Sequence, residues 1–421
     1  MDAREQRGII IAATQKLSQK GQVWLVRSQS GDGHYTVCIN QEQPFCSCPD
    51  HETPGGKCKH IFAVEYTVRR ERTESVDGGT VEVTESITFT KKTSYPQVWP
   101  AYNKAQATEK NRVQTLLSDL CRNIPEPERG PRKGPKSHAV RDQIFSIIYK
   151  VYCGFSARRF STDLNEAYEK GHIATNVLGM KVTLYTQNSD YTPILTELVS
   201  KSAAPLAAVE TDFAVDSSGF STSKFERWYD EKWGVQRSKN VWVKTHIACG
   251  VKTNCITAVR ILDKDAADAP QFKPLVQKTA ENFTIREVSG DKAYASNENF
   301  EAVADLNGTA FIPFKSNTTG AVGGLFEKMF HYFNFKRDEY LQRYHKRSNV
   351  ESVFSSVKRK FGDSVRSVTD AAMKNEVLAK LICHNLCCLI QEQEELGIAP
   401  IFWKDEAEEP TQAVLTFPTV I

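Results

Sequence analysis

The hydrophobic and polar positions of this chain alternate first with one period and then with another. VWLVRS and HYTVCIN read as two short strands joined through a Ser-Gly-Asp-Gly turn. Helical spacing takes over in AYNKAQATEKNRVQTLLSDLC, and again in RDQIFSIIYKVYCG and SARRFSTDLNEAYEKGHI, two helices with a short turn at Gly154-Phe155. From about residue 204 the period of two returns. In LAAVETDFAVDSSGFS, Val209, Thr211, Phe213 and Val215 alternate with Glu210, Asp212, Ala214 and Asp216, which predicts a strand ending at Asp216 before a Ser217-Ser218-Gly219 turn. NVWVKTHIACGV and NCITAVRILD form a hairpin turning at Lys252-Thr253-Asn254. After it come a helix in KPLVQKTAENF, a short strand from Ile285 to Ser289, a helix capped by Ser296, and a strand in GTAFIPFKS.

The last amphipathic stretch is RYHKRSNVESVFSSVKRKFG. Val350, Phe354, Val357 and Phe361 make an apolar stripe. Tyr344, Arg347, Glu351 and Lys358 stand at spacing Y-x2-R-x3-E-x6-K, which on one continuous helix places all four within about 60° of one another. Between Arg343 and Lys360 there are six Lys or Arg residues and one acid, Glu351. A carboxylate kept alone among cations points to work that only a carboxylate does, such as holding a hard metal ion beside a polyanion.

This spacing resembles the Tyr-Arg-Glu-Lys signature of prokaryotic insertion-sequence transposases of the DDE type. In that family the Glu is the third member of a metal-binding acidic triad. Asp216, in a D-S-x-G context, and Asp291, in a D-K-x-Y context, match the family's two Asp motifs. Asp212 is the alternative to Asp216, and strand rise separates the two by roughly 13 Å, too far to hold one metal together. The resemblance implies an RNase H-like α/β fold, a mixed sheet flanked by helices, with the first Asp on the first strand, the second on a later central strand and the Glu on a helix after the sheet. Only about fifty residues lie between GTAFIPFKS and the end of the Glu helix, leaving little room for the large all-β insertion of some relatives. It also implies Mg²⁺ or Mn²⁺ as cofactor, DNA contacts from Tyr344, Arg347 and Lys358, and a homodimer on paired transposon ends. His331 and His345 take no catalytic part, since two-metal displacement needs no His base.

A second constellation is FCSCPDHETPGGKCKHIFAVEY. Cys46, Cys48, Cys58 and His60 form C-x-C-x9-C-x-H, two ligand pairs around a Gly55-Gly56 turn, suited to a closed tetrahedral Zn²⁺ site. The segment resembles the SWIM zinc finger, including its Pro-Asp after the second Cys and its C-K-H-I-x-A-V helix. His51 is a rival ligand in the intervening loop. The other cysteines are scattered in apolar surroundings, and eleven in 421 residues without a signal peptide argue against a disulfide framework.

Composition changes this picture little. Net charge is only +3 and 40% of residues are hydrophobic, enough for real cores. Charge is local instead. ERGPRKGPKSHAVR, with five Lys or Arg and one Glu, reads as a basic linker along phosphate, offset by acidic EQEEL and KDEAEE. The helices around Gly154 suit a helix-turn-helix capped by Ser156 or Ser161, with Arg158 and Arg159 facing DNA, or simple packing. TVEVTESITF reads as a strand or hinge.

The expected organisation is a finger at 1–75, a linker and amphipathic helix at 76–127, a basic linker and helical DNA-binding region at 128–200, a catalytic domain at 201–395 and a tail at 396–421. No stretch is long enough to span a membrane; the resemblance implies a prokaryotic cytoplasmic protein, nucleoid-associated when bound. Two other classes stay open: a domesticated, inactive DNA-binding protein, and a SWIM-bearing interaction protein.

Overall fold

The computed structural model describes residues 3–15, 17–29, 33–39, 44–52, 57–75, 98–127, 137–222, 242–262, 267–315, 318–320 and 323–403. The basic linker at 128–136, TVEVTESITF and KDEAEE from Lys404 onward lie outside them. The chain divides into two compact units, 1–89 and 90–421.

The first unit opens with α1 (Ala3–Thr14), followed by strands β1 (Ser18–Lys20), β2 (Val23–Arg27), β3 (His34–Cys38) and β4 (Phe45–Cys46), the short helix α2 (Pro49–Glu52) and α3 (Lys59–Ser75). The strands form an antiparallel sheet in sequence order, with Trp24 opposite Val37. Alternation along β2 sends Trp24 and Val26 inward onto Ile11 of α1 and Ile61 and Val64 of α3. Helices α1 and α3 pack closely because residue 8 is glycine; a Cβ there would collide with Phe62. The strand pair was legible in the sequence, whereas α1 was not.

The second unit begins with five helices: α4 (Trp99–Leu120), α5 (Val140–Cys153), α6 (Ala157–Glu169), α7 (Gly179–Thr186) and α8 (Tyr191–Ala203). The sheet follows, as β5 (Asp212–Ser221), β6 (Trp242–Gly250), β7 (Ile256–Leu262), α9 (Ala269–Ala280), β8 (Glu287–Gly290), α10 (Asn297–Ala304) and β9 (Thr309–Phe311). Helices α11 (Gly324–Phe335), α12 (Arg337–Tyr344), α13 (Ser348–Phe361) and α14 (Asp370–Leu396) complete it. The sheet order is β7-β6-β5-β8-β9. Strands β7, β6 and β5 pair antiparallel, while β5, β8 and β9 run parallel. This is a mixed sheet flanked by helices, as expected. The hairpin turns where predicted, with Asn254 in the left-handed region at φ 59. Ser296 caps α10 by accepting the Asn299 N–H.

Helix α14 ties the unit together. Its middle is apolar nearly all round, as a fully buried helix requires, and Leu378, Leu381, Ile382, Leu386 and Leu389 are buried. Asn385, buried completely, accepts from the Ile256 N–H and donates to the carbonyls of Ile256 and Val199. One side chain thereby stitches α14 to β7 and α8 with its polar groups satisfied. One hydrophobic core runs from Ala105 to Phe402, so the segments expected at 76–127, 128–200 and 201–395 share it.

His384, on the same helix, is buried with Nε2 3.0 Å from the Asn254 carbonyl. Burial pushes it down from 6.5 to about 4, against the opposing effect of that carbonyl. The unfolded chain therefore binds a proton here that the fold refuses between about pH 6.5 and pH 4, and stability is lost as pH falls through that window. The thermal midpoint of His384→Asn is expected to fall less than that of wild type on acidification from about pH 7 to about pH 5. Equal falls in two parallel melts would remove His384 from the acid response.

Three local expectations need correction. Strand β5 starts at Asp212, because the Val209 and Glu210 N–H groups still bond back to the Leu206 carbonyl. It then runs on through Ser217-Ser218-Gly219, which is ladder and not turn: Gly219 pairs with Lys244, and Ser221 with Trp242. The Trp242 ring lies against the bare α-carbon of Gly219. Near Gly154, which takes the left-handed cap at φ 70, neither serine caps α6: Ser156 stands at the N-cap without a side-chain bond, and Ser161 bonds the Ala157 carbonyl inside the helix.

Candidate active site

The parallel pairing of β5 with β8 sets Asp212 opposite Glu287 and Val215 opposite Gly290. Asp216 and Asp291 each follow by one residue, so they emerge side by side from adjacent strands. The two strands thus present two acidic rungs four residues apart: Asp212 with Glu287, and Asp216 with Asp291.

The segment carrying the other site residues crosses these rungs. It is not one continuous helix, contrary to expectation: α12 ends at Tyr344, His345–Arg347 form a 3₁₀ turn, and α13 begins at Ser348. The reason is visible at the inner rung. Lys346 donates to Asp212 at 2.7 Å and to Glu287 at 2.6 Å, Arg343 pairs with Glu287, and Arg286 grips Asp212 through two nitrogens at 2.8 and 2.7 Å. These pairs draw the turn down onto the strands. Asp212 is therefore occupied structurally; its carboxyl is pushed up by burial but held below the usual carboxylate range by Arg286 and Lys346. Lys346→Met leaves two buried acids short of a donor, while Arg286 and Arg343 remain, so a cost of about 1–3 kcal/mol is expected by urea unfolding. A change below about 0.5 kcal/mol would show that the arginines hold the turn alone.

At the outer rung, Arg347 Nη2 donates to Asp216 at 2.7 Å and Nη1 to Glu351 at 2.8 Å. The guanidinium thus links the acid of β5 to the acid of α13. The other Asp216 oxygen accepts the Ser217 N–H at 2.8 Å. Burial pushes the Asp216 carboxyl up, and neighbouring Asp291 adds to this, against Ser217 and Arg347. Glu351 is exposed, in a shallow depression of about 410 Å³ with Ser348, Ser352, Ser355, Ser356 and Arg359. Lys358, about two turns beyond Glu351 on α13, donates to Ser218 of β5 at 2.7 Å, its amine over the Phe220 ring; burial pushes it down. Tyr344 is half-buried, and burial raises its hydroxyl against the lowering effect of Arg347.

Asp216, Arg347 and Glu351 are thus joined by contacts, Asp291 lies beside Asp216, and Lys358 meets the same strand. Arg158 and Arg159 are exposed at the start of α6. The donors around the outer rung are hard carboxylate oxygens, and Asp216 and Asp291 crowd like charge, so the residues suit a hard divalent cation. The inner rung and its cations were missed from the sequence. Their signal was an acid four residues before each chosen Asp, matched by Arg343 and Lys346 in RYHKR.

In the first unit, Cys46, Cys48, Cys58 and His60 are all buried, with one ligand atom from each within 4.8 Å of every other. Cys46 ends β4, Cys48 precedes α2, Cys58 precedes α3 and His60 lies in its first turn. His60 Nδ1 lies 3.8 Å from the Cys46 sulfur. Neighbouring Cys46 pulls the Cys58 thiol down to about 3, Cys58 and burial push the Cys46 thiol up, and burial pushes the Cys48 thiol up. Three thiols so crowded hold negative charge poorly without a cation, and the donor set fits Zn²⁺. His51 stands outside this group, edge-on against Phe45. The remaining cysteines are free, with Cys38, Cys153, Cys387 and Cys388 only partly buried. Among the described residues, no helix is long and apolar enough to cross a membrane.

Residues 208–386 match the family model described as "Transposase DDE domain". The matched segment runs from just before β5 into α14 and includes Asp216, Asp291 and Glu351. No curated protein matches the chain. Among solved structures, a piggyBac transposase synaptic complex with hairpin DNA aligns over 72% of this chain and 76% of that chain, at 8% identity and a TM-score of 0.33, a likeness too distant to carry weight.

Proposed function

We propose that this chain is the DNA transposase of a prokaryotic insertion sequence, binding terminal inverted repeats and cutting and joining DNA through Asp216, Asp291 and Glu351. The observation that carries the reading is the outer rung: within the stretch matching a transposase DDE domain, adjacent parallel strands present two Asp residues, and Arg347 connects the first to Glu351. The sheet order, three antiparallel strands extended by two parallel ones, supports an RNase H-like fold. Two Mg²⁺ or Mn²⁺ ions held by the three carboxylates would activate the attacking oxygen and stabilise the leaving 3′ oxygen.

The chain's own groups bind and orient. Arg347 and Lys358 clamp phosphates near the cut, with Lys358 steadied on Ser218 and the Phe220 ring. Tyr344 offers a hydroxyl or a stacking face. Exposed Arg158 and Arg159 contribute to end recognition through a helix-turn-helix formed by α5 and α6. Residues 1–75 act as a SWIM-type zinc finger with Zn²⁺ on Cys46, Cys48, Cys58 and His60. The active form is a homodimer on paired ends, working in the cytoplasm at the nucleoid.

The test is cleavage of a labelled duplex made from the DNA flanking the gene. Cutting that appears with Mg²⁺ and stops with EDTA is the expected result. Binding without cutting under any divalent ion would favour an inactive, domesticated DNA-binding protein.

A further inference from the structure

The outer rung carries its own cation. Arg347 spans Asp216 and Glu351 with one nitrogen on each, at 2.7 and 2.8 Å. Its third nitrogen, Nε, is buried with no hydrogen-bond partner among the described residues. The guanidinium is therefore held by its charge on two carboxylates, with one N–H left unsatisfied, an arrangement that a better acceptor can displace. One of the two Asp216 oxygens accepts the Ser217 N–H and the other accepts Arg347. A divalent cation seeking that carboxylate meets a guanidinium already on it, and two cations at one oxygen repel.

We propose that Arg347 is the resident counter-ion of the acidic site: it holds Asp216 and Glu351 in place of a divalent cation, and releases them when a DNA phosphate takes the guanidinium. The inference rests on the reading that these acids and Asp291 bind metal. Its consequence is coupling. Metal binds weakly to the DNA-free protein, and phosphate and metal each strengthen the other's binding by the same factor. A phosphate is a suitable receiver because it offers a guanidinium two acceptor oxygens at once, without the competing cation. The 3₁₀ turn that carries Arg347 is bolted down through Lys346, so the exchange is a swing of one side chain and not a movement of α13.

The experiment is a Mn²⁺ titration of the full, zinc-loaded chain without DNA, followed by electron paramagnetic resonance, for wild type, Arg347→Ala and the size-preserving Arg347→Gln. If the bridging arrangement occupies nine-tenths or more of wild-type molecules, both variants should bind Mn²⁺ at least about tenfold more tightly. Asp291→Asn placed in either variant should return binding to the weak level. Variants that bind Mn²⁺ no more tightly than wild type, while Asp291→Asn still weakens them, overturn the counter-ion role and leave the metal site standing. Mn²⁺ binding indifferent to Asp291 in every background overturns the metal site, and the counter-ion role with it.

Discussion

Glu351→Gln should abolish DNA strand cleavage while leaving the second unit folded and able to bind DNA. Glutamine keeps the shape of the side chain and loses the charge, and an amide oxygen is a much poorer ligand for a hard divalent cation than a carboxylate. Partners one layer outside a metal already cost 10–100-fold when removed, so loss of a direct ligand should reduce the cleavage rate by more than about 100-fold. Stability should hardly change. Glu351 is exposed, so solvent screens its side of the ion pair with half-buried Arg347, and such pairs contribute about 0–1 kcal/mol. Measuring urea unfolding and duplex cleavage on the same preparation separates the two effects. A variant that cuts at the wild-type rate would remove Glu351 from the chemistry.

The second large effect concerns the proposed zinc site. Cys58→Ser should release zinc and unfold residues 3–75, with the second unit intact. The first unit's core is small, and four of its side chains, Cys46, Cys48, Cys58 and His60, are the candidate ligands. Structural zinc contributes about 10–16 kcal/mol of apparent binding energy in small fingers, more than such a core supplies alone. The two units bury separate clusters, so the loss should stop at the first. Hydrogen exchange read by mass spectrometry, alongside zinc content, reports both. Zinc retained at full stoichiometry would contradict the ligand set. Lost protection in α14 or β5 would contradict the independence of the two cores.

The sequence made some of this site legible because certain features are local. Period-two alternation put Asp216 on a strand, the glycine before Asp291 marked a strand end, and the basic run around Glu351 isolated it as the one acid. The Cys and His pairs were equally local, and the structure gathers all four. What could not be read depends on pairing across distance. That Asp212 faces Glu287 follows only from the parallel register of two strands some seventy residues apart. That register turned the alternative first Asp into an anchor for Lys346 and Arg286. Ser217-Ser218-Gly219 has the composition of a turn, yet pairing with β6 holds it extended. The same pull of tertiary contacts broke the expected Glu351 helix at His345–Arg347, between α12 and α13, where Arg343 and Lys346 are bound to the strands.

Asp216, Asp291 and Glu351 are proposed to make one metal-dependent DNA-cutting site. The most direct test compares wild type with Asp291→Asn on a labelled duplex carrying the terminal sequence that flanks the gene, in Mg²⁺ and in EDTA. A shared site requires cutting by wild type in Mg²⁺ alone and none by Asp291→Asn, with duplex binding retained by both. Cutting by Asp291→Asn at the wild-type rate would contradict it.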